Sequence, residues 1–429
     1  MFTRRHFLGA SGALITGAPL VRSFGADEVK DQVRLAVIGV ADRGSANLAG
    51  VATENIVALC EVDEPRAAKA REQFPNAKFF TDYRKMFDAV GKDFDAVVVS
   101  TPDHTHAHAA LMGMRLGKHT YCEKPLAKSV HEVRLMQKVA LEKKLVTQMG
   151  TQIHAENNYR RVVEIVKSGK LGTIKKVDVW CSRKPDGGKK IQPTVPVKFD
   201  INQWLGPVPE EFFYADFKNW PHFNWRWWWA FGGGTLQDMG CHFMDLAFWA
   251  LHLGAPTSVK ASGNAIPGAE NKVPEKLQVD YQIPALNGRP AVHVTWYHGV
   301  EGPNLAGTGN IRGFPNGVLF TGEKGTLVAD YGKFKLFPDE FAKDFHAPDQ
   351  SIAKSVGHHR EWLNAIRGTG KPLCEFGYAG VLTETVLLGN VAYRTGQELT
   401  WDAVAGKVTN TKEADQYIEC PTRKGWELG

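Results

Sequence analysis

Asp238 and His242 have the residue types and the spacing of an acid–base pair. They stand four positions apart in a stretch whose apolar spacing predicts a helix, so both side chains share one helical face. Histidine titrates near working pH, and a neighbouring carboxylate can polarise its ring. A capping aspartate and a histidine satisfied in the core would show the same spacing, so this pattern alone leaves both interpretations open.

Lys124 is a third candidate, in the sequence Glu123-Lys124-Pro125. It follows a predicted strand at residues 118–122, and a proline favours an extended conformation in the residue before it. Open α/β sheets bind ligands at the carboxyl ends of their strands, which is where this lysine stands. We therefore expect Glu123 and Lys124 to border a ligand, with Lys124 acting either chemically or structurally.

A glycine-rich turn upstream predicts what that ligand is. Residues 33–38 form an apolar run typical of a buried parallel strand, and Gly39 and Gly44 follow with the spacing of a G-x-G-x-x-G dinucleotide turn. Ala41 replaces the middle glycine, which slightly crowds the approach of the pyrophosphate. The helix that follows would direct its N-terminal amides at the phosphates. Asp42 and Arg43 belong to the same predicted cofactor site.

Glu61 comes directly after the second predicted strand, residues 55–60. An acidic side chain there can accept hydrogen bonds from the adenosine ribose hydroxyls, and it would repel the 2′-phosphate of NADP. The pattern therefore predicts NAD as the cofactor, with NADP less suitable. A plain strand–helix–strand unit with an acidic turn is the alternative.

A histidine-rich segment follows the next long apolar strand, residues 94–99. Thr101, Pro102 and His106 are predicted to lie near the nicotinamide, because they follow the carboxyl end of that strand. His104 and His108 complete an alternating set of three histidines, which invites a metal interpretation. The pattern brings no carboxylate to them and suits a helix start equally well, so we predict no metal.

The order of predicted elements divides the chain into four parts. Residues 1–26 are a signal segment, described below. Residues 31–150 alternate strand and helix, which predicts an α/β fold with the doubly wound parallel sheet of a Rossmann domain. Residues 151–402 predict an α+β domain with a large, mostly antiparallel open sheet, and residues 403–429 a tail with little regular pattern.

The first 26 residues have the pattern of an export signal. Arg4 and Arg5 form a twin-arginine motif, and an uncharged apolar stretch follows at residues 9–21. We expect export by the twin-arginine route, to the periplasm or otherwise out of the cytoplasm; a disordered basic tail is the alternative. That route carries folded proteins, so the six scattered cysteines are expected to be buried free thiols.

The composition excludes several classes of function. The chain has 429 residues, 43% of them hydrophobic and 23% charged, which is ordinary for a soluble globular protein. Its net charge of +6 includes three arginines from the signal segment. The small net charge of the chain without that segment gives no support for binding nucleic acid or a membrane surface.

Tryptophans are the unusual feature of the composition. Five of the twelve fall between residues 220 and 229, within a long irregular stretch. Aromatic faces stack well on the apolar faces of sugar rings, so a carbohydrate cleft is one interpretation. A subunit interface, or a loop packed on the core, is the other.

Taken together and in order, these motifs resemble those of the Gfo/Idh/MocA family, named for glucose–fructose oxidoreductase, inositol dehydrogenase and MocA. The resemblance extends from about residue 33 to residue 402. It implies that Lys124, Asp238 and His242 surround the nicotinamide, and that Glu61 is the ribose-binding acid. It also implies a homodimer or homotetramer formed through the C-terminal sheet. The candidate substrate contacts are His154, Tyr159, Arg226 and Trp228.

The function implied by the resemblance is hydride transfer between NAD and a secondary hydroxyl of a sugar, sugar derivative or cyclitol. Export leaves a second possibility open: a tightly bound NAD that is reset in each cycle of a redox-neutral glycosidase, lyase or epimerase. A non-catalytic ligand-binding protein on the same fold is a third. The intact set of Lys124, Asp238 and His242 argues against that third possibility.

Overall fold

The computed structural model describes residues 32–183, 196–209, 222–264, 271–303 and 313–428. The predicted twin-arginine segment lies outside these residues, as does Trp220. Within the described ranges, no helix combines the length and the apolar character needed to cross a bilayer.

The N-terminal part of the described chain is a six-stranded, wholly parallel sheet with helices on both faces. Its strand order, β3-β2-β1-β4-β5-β6, is that of the Rossmann fold, as predicted. The central strands are almost entirely buried, which explains their unbroken apolar sequences. In chain order its elements are β1 (Arg34–Ile38), α1 (Arg43–Gly50), β2 (Asn55–Cys60), α2 (Glu64–Gln73), β3 (Lys78–Phe80), α3 (Tyr83–Val90), β4 (Ala96–Val99), α4 (Asp103–Arg115), β5 (His119–Glu123), α5 (Val130–Glu142) and β6 (Thr147–Gly150).

The second part is built on a nine-stranded sheet of order β13-β12-β11-β7-β10-β9-β8-β14-β15. Only the β7–β10 pair among these is parallel, so the prediction of a mostly antiparallel sheet is confirmed. The elements are α6 (Asn157–Lys167), β7 (Ile174–Cys181), α7 (Ile201–Leu205), α8 (Gly234–Leu251), β8 (Ser258–Gly263), β9 (Leu277–Ile283), β10 (Val292–His298), β11 (Gly317–Gly322), β12 (Thr326–Ala329), β13 (Phe334–Phe337), α9 (Asp339–Lys343), α10 (His358–Ile366), α11 (Phe376–Thr395), β14 (Leu399–Asp402), β15 (Lys407–Val408) and α12 (Asp415–Ile418). Within the described residues, three short 3₁₀ turns accompany them: Gln152–Ala155, Asn224–Trp227 and Lys412–Ala414.

Helices α8 and α11 are the most buried helices of the second part. Each is apolar around most of its circumference, because α8 lies between the large sheet and the helices α6 and α11, and α11 lies between that sheet and α5 of the first domain. Strand β9 alternates buried and more exposed residues, because its apolar side chains face this core and its polar side chains face the opposite side of the sheet. Helix α8 therefore runs through the middle of the molecule, with its N-terminal turn beside the first domain.

Helix α10 returns to the first domain, although its sequence position lies within the predicted C-terminal domain. Trp362 and Leu363 are fully buried among the apolar side chains of β1, β2 and β4. The buried carboxylate of Glu54 accepts hydrogen bonds from the backbone of Val33 and from Arg360 and Arg367 near the end of the chain. Helix α10 therefore lies after the predicted boundary at residue 150 in the chain but packs on the domain before it.

The tail is more regular than its sequence suggested. Residues 407–408 form β15, which pairs with β14 and extends the large sheet by one strand. Trp426 packs its ring edge-on against Tyr83 of the first domain, with the ring centroids 6.2 Å apart. The six cysteines are free thiols, and five of them are buried.

Candidate active site

A cavity of about 1160 Å³ opens at the carboxyl ends of the first domain's strands. Turns following β1, β2, β4 and β5 line one side, and the 3₁₀ turn Asn224–Trp227 with the first turns of α8 lines the other. This is the crevice in which doubly wound sheets bind nucleotides. Its volume exceeds that of most small-molecule sites, as a dinucleotide plus a substrate requires.

The glycine turn after β1 has the geometry of a phosphate cradle. Gly39 has a φ of +78°, and a Cβ on it would lie 2.7 Å from the carbonyl oxygen of Ser100. A Cβ on Gly44 would lie 2.1 Å from the carbonyl oxygen of Gly39. Neither position therefore tolerates a side chain, whereas Ala41 lines the cavity without such a clash. The cradle fits the pyrophosphate of a dinucleotide.

The carboxylate of Glu61 lies beside this cradle and lines the cavity. Its two oxygens accept hydrogen bonds from the backbone N–H groups of Val40, at 3.1 Å, and Asp63, at 3.2 Å. Burial raises the pKa of Glu61, and the two backbone donors oppose that rise. Asp42 and Arg43 line the same region, and Asp42 forms an ion pair of 2.6 Å with Arg66. An acid so placed fits ribose hydroxyls and disfavours a 2′-phosphate.

His106 joins the two loops that follow β4 and β5. Its Nε2 lies 2.7 Å from the carbonyl oxygen of Thr101, and its Nδ1 lies 2.8 Å from that of Pro125. Thr101, Pro102 and His106 all line the cavity. The hydroxyl of Thr101 is buried and has no hydrogen-bond partner within the described residues, so a bound group could satisfy it.

The three alternating histidines do not converge. His104 Nε2 lies 2.8 Å from the carbonyl oxygen of Trp204, while His108 lies 3.9 Å from the carboxylate of Glu132. Each of the three side chains, His104, His106 and His108, therefore contacts different partners.

Lys124 and Asp238 meet across the cavity, one from each domain. The Nζ of Lys124 lies 2.7 Å both from Oδ1 of Asp238 and from its backbone carbonyl oxygen. Arg226 donates from Nε to the same carboxylate at 3.2 Å, and Arg183 donates to its other oxygen. Burial alone would disfavour ionisation, but the charges of Lys124, Arg226 and Arg183 outweigh it and hold the pKa of Asp238 well below its usual range. Asp238 is therefore an anion at any working pH.

The hydrogen bond expected between Asp238 and His242 is absent from the described residues. The carboxylate is engaged by three cations instead, and Nδ1 of His242 is buried without a partner in that part of the chain. Burial, followed by the charge of Lys124, lowers the pKa of His242 to about 3. Its ring is consequently neutral, and it lines the cavity as a possible hydrogen-bond acceptor.

Glu123 anchors the loop that carries Lys124. Its Oε1 accepts hydrogen bonds from the side-chain amides of Asn47, at 2.9 Å, and Gln152, at 2.6 Å. Its Oε2 accepts from the backbone N–H of Lys124 at 3.3 Å. Glu123 lines the cavity and fixes the conformation from which Lys124 reaches Asp238.

Of the four candidate substrate contacts, Arg226 lines the cavity and the other three do not. Tyr159 is fully buried and donates its hydroxyl to the backbone carbonyl of His242 at 3.1 Å. Trp228 is buried on the far side of the 3₁₀ turn, and its neighbour Trp225 lines the cavity instead. The structure therefore places neither Tyr159 nor Trp228 at the cavity, and their contact with a substrate stays a prediction.

His154 is also buried away from the cavity. Its Nδ1 donates to Asp245 at 2.9 Å, its ring stacks on Trp249, and Tyr378 donates to the same carboxylate at 2.6 Å. His154, Asp245 and Cys374 have ligand-type atoms within 4.8 Å of one another. Burial raises the pKa of the Cys374 thiol well above its usual value, so it stays protonated, and the group is a hydrogen-bonded cluster beneath the site.

The tryptophan-rich segment packs mainly on itself. Trp227, Trp228 and Trp229 form a small buried core with Phe231. On the cavity side, the guanidinium of Arg226 lies 4.3 Å from the ring centroid of Trp225. The described aromatics thus favour the packed-loop interpretation, with Trp225 serving to orient an arginine.

Arg183 and Asp103 are two of the cavity residues to which sequence reasoning gave no role. Arg183 lies just beyond β7, in a stretch with no regular pattern. Asp103, the first residue of α4, is buried, and its Oδ2 accepts a hydrogen bond from Gln237 at 3.0 Å. Asp103 lies in the histidine-rich segment after β4, where the pattern drew attention to the histidines, whereas Arg183 belongs to no motif.

Comparison with known proteins agrees with this geometry. The family model described as "Oxidoreductase family, NAD-binding Rossmann fold" matches residues 33–151, and "Oxidoreductase family, C-terminal alpha/beta domain" matches residues 157–283. Together the two models cover more than half of the chain.

Among curated proteins, inositol 2-dehydrogenase of Salmonella typhimurium is 25% identical over 146 residues, which is 33% of this chain and 43% of that protein. A glycosyl hydrolase family 109 protein of a Shewanella species is 30% identical over 210 residues, covering 40% of this chain and 44% of that protein. The matched region thus spans less than half of either relative.

Among solved structures, the WlbA dehydrogenase of Bordetella pertussis in complex with NADH and UDP-GlcNAcA has the same fold. Its TM-score is 0.60 at 16% identity, and the alignment covers 86% of this chain and 99% of that one. With both family models matched in order and the fold shared throughout, the chain belongs to the Gfo/Idh/MocA oxidoreductase family, and its N-terminal domain is an NAD-binding Rossmann domain.

Proposed function

We propose that the protein transfers a hydride between NAD and a secondary hydroxyl of a sugar, a sugar derivative or a cyclitol. One observation carries the proposal: Lys124, fixed by Asp238 at 2.7 Å, and the neutral ring of His242 line the same cavity as the dinucleotide turn. A cation and a neutral imidazole are the groups that an alcohol oxidation needs beside its cofactor.

The chain's own residues have distinct tasks in this reaction. When bound, NAD supplies the two-electron acceptor or donor. Lys124 gives two of its three N–H groups to Asp238, which leaves the third to hold a substrate oxygen and to stabilise negative charge on it. His242, neutral at working pH, accepts a hydrogen bond from the substrate hydroxyl and orients it. Asp238 holds the ammonium group of Lys124 in place.

The substrate class rests on the polar lining and on the relatives. Arg183 and Arg226 supply donors suited to hydroxyl or carboxylate oxygens on the substrate side of the cavity. Inositol 2-dehydrogenase acts on a cyclitol, and the WlbA structure holds a UDP-sugar acid. A small polyhydroxylated compound therefore fits the site better than an apolar one.

The test is a screen of sugars, sugar acids and cyclitols with NAD, following nicotinamide absorbance. Lys124→Ala and His242→Ala should each lower turnover by about 10²-fold while NAD still binds. Lys118→Ala is a matched control, because that lysine lies at the opposite end of β5 and donates to the backbone carbonyl of Phe94. Unchanged turnover in both active-site variants would remove those residues from the mechanism.

A second candidate function is redox-neutral catalysis with a retained NAD. The similarity to a glycosyl hydrolase family 109 protein favours it, as does the ionic contact that ties the two sides of the cavity. NAD released only when the purified protein is denatured, together with product formation without added cofactor, would support this function. Protein that is purified without cofactor and requires added NAD would exclude it.

For location and assembly we propose export by the twin-arginine route and a homodimer or homotetramer formed through the large sheet. The paired arginines Arg4 and Arg5 support export, and the face of the nine-stranded sheet opposite the core offers a contact surface. Replacing both arginines by lysine should keep the protein in the cytoplasm. Light scattering of the purified protein tests the assembly, and a monomer at all concentrations would contradict it.

A further inference from the structure

Asp103 is an acidic group of the cavity to which neither the family motifs nor the mechanism above gives a task. It is the first residue of α4, directly after the loop that carries Thr101 and Pro102 at the carboxyl end of β4. Its side chain lines the cavity and is 5% exposed. Burying a carboxyl group costs free energy unless the group is hydrogen-bonded and its charge is paired or neutralised.

The partner of Asp103 comes from the other domain and is itself held in place. Gln237 donates from Nε2 to Oδ2 of Asp103 at 3.0 Å. Its own Oε1 accepts a hydrogen bond from Asn390 at 3.4 Å, and Asn390 also donates to the carbonyl oxygen of Gly233. A Cβ at Gly233 would lie 1.9 Å from that Oε1, so the glycine provides the room. The side-chain amide of Gln237 therefore donates to Asp103, and the carboxyl group can accept this hydrogen bond whether it is protonated or ionised.

Burial is the largest influence on the charge state of Asp103 and disfavours its ionised form. Lys124 and Arg226 oppose that effect, and the fixed negative charge of Asp238 adds to it. The thiols of Cys122 and Cys241 are the other titratable neighbours, and burial keeps both protonated by raising their pKa. As a result the pKa of Asp103 is raised to about 7.

This pKa separates Asp103 from the other acid–base candidates. Asp238 stays ionised, and His242, with a pKa lowered to about 3, is too weak a base to keep a proton at neutral pH. General acid–base catalysis is most effective when the pKa of the group lies near the working pH. The cavity thus contains a neutral hydrogen-bond acceptor in His242, a fixed anion in Asp238 and, in Asp103, a carboxyl group able to change its charge near neutrality.

We propose that Asp103 is a second acid–base residue of the site, facing the substrate and receiving the hydroxyl proton. In the oxidation the carbinol C–H hydrogen leaves with two electrons to the acceptor that NAD supplies, and the O–H proton forms a new O–H bond on the carboxylate of Asp103. The products are a carbonyl compound, reduced cofactor and a neutral Asp103, which then returns its proton to solvent. Reduction runs the same transfers backwards. This inference rests on the proposed oxidoreductase function.

The decisive experiment measures the pH profile of kcat/KM for oxidation. In the wild type it should rise with pH and level off above about pH 7, because the carboxylate is the active form. Asp103→Asn should lower kcat by about 10²-fold and abolish that inflection, with NAD affinity retained. Gln237→Leu should move the inflection to higher pH, since the lost hydrogen bond favours the ionised form. A residue with a purely structural role would leave the inflection in place.

A second readout does not depend on turnover. Difference infrared spectra of the NAD-loaded protein, wild type minus Asp103→Asn, should show a protonated carboxyl band that disappears as pH rises through about 7. An unchanged inflection in Asp103→Asn or, should that variant not fold, in Gln237→Leu would overturn the proposal, as would the absence of the titrating band. If the wild type oxidises no sugar or cyclitol, the proposed function fails instead, while the infrared titration still decides whether Asp103 changes its charge.

Discussion

Replacing Asp238 by asparagine tests whether the contact across the cavity holds the two domains together. The variant keeps the size of the side chain but leaves Lys124, Arg226 and Arg183 facing a neutral amide. The side chains of Asp238 and Lys124 are 6% and 12% exposed, so this is a buried pair, whereas the arginines are 20% and 37% exposed and contribute less. Removing one partner of a buried pair costs about 3–5 kcal/mol, and we expect a loss of that size in the free energy of unfolding.

Urea unfolding of the cofactor-free protein, followed by tryptophan fluorescence, measures this loss. Asp95→Asn is the matched control, since Asp95 pairs with Arg34 in an exposed ion pair and should cost at most about 1 kcal/mol. The folded pKa of Asp238 is lowered, so its contribution is complete above the unfolded value of about 4 and is lost as pH falls towards the folded value. The free energies of unfolding of the wild type and of Asp238→Asn should therefore become equal only in strong acid. Equal losses for Asp238→Asn and Asp95→Asn at neutral pH would refute the reasoning.

Three further predictions concern the cofactor and acid stability. Gly44→Ala should lower NAD affinity in calorimetry by at least about tenfold, because the new Cβ would lie 2.1 Å from a carbonyl oxygen, whereas Ala41→Gly should bind NAD at least as well as the wild type. Glu61→Gln should lower the ratio of the Kd for NADP to the Kd for NAD, because the acid that disfavours the 2′-phosphate is removed. An unchanged ratio would count against a ribose-binding role. Burial lowers the pKa of His104 to about 3, so below about pH 6.5 this side chain takes up a proton when the protein unfolds. As pH falls from about 6.5 to 3, the Tm of His104→Phe should therefore decrease less than the Tm of the wild type.

The first domain could be predicted from sequence because its signals are local. Strands β1 and β4 are buried on both faces, which requires continuous apolar runs that are visible in the chain. Ligand-binding turns follow directly on such strands, so Glu61 and Lys124 were found by position alone. The sheet order and the location of the cofactor turn were accessible for the same reason.

The substrate side of the cavity depends on contacts between distant residues. Asp103 is buried beside Gln237, 134 positions away, and His154 forms a hydrogen bond with Asp245, 91 positions away. Spacing along a chain contains no information on such pairs. Trp225 lies on the 3₁₀ turn and Trp228 directly follows it, and packing of the loop decides which of the two rings reaches the cavity.

The return of α10 to the first domain has a consequence for how the protein is made. Glu54 is buried with its charge facing Arg360 and Arg367, and the domain's core is completed by Trp362. These partners are synthesised roughly 200 residues after β6, which at about 5–20 residues per second is a delay of about 10–40 seconds. Throughout that interval the nascent N-terminal domain carries an unpaired buried carboxylate and an open apolar face. Its folding is therefore tied to completion of the chain, and the ribosome-bound domain is a natural client for chaperones.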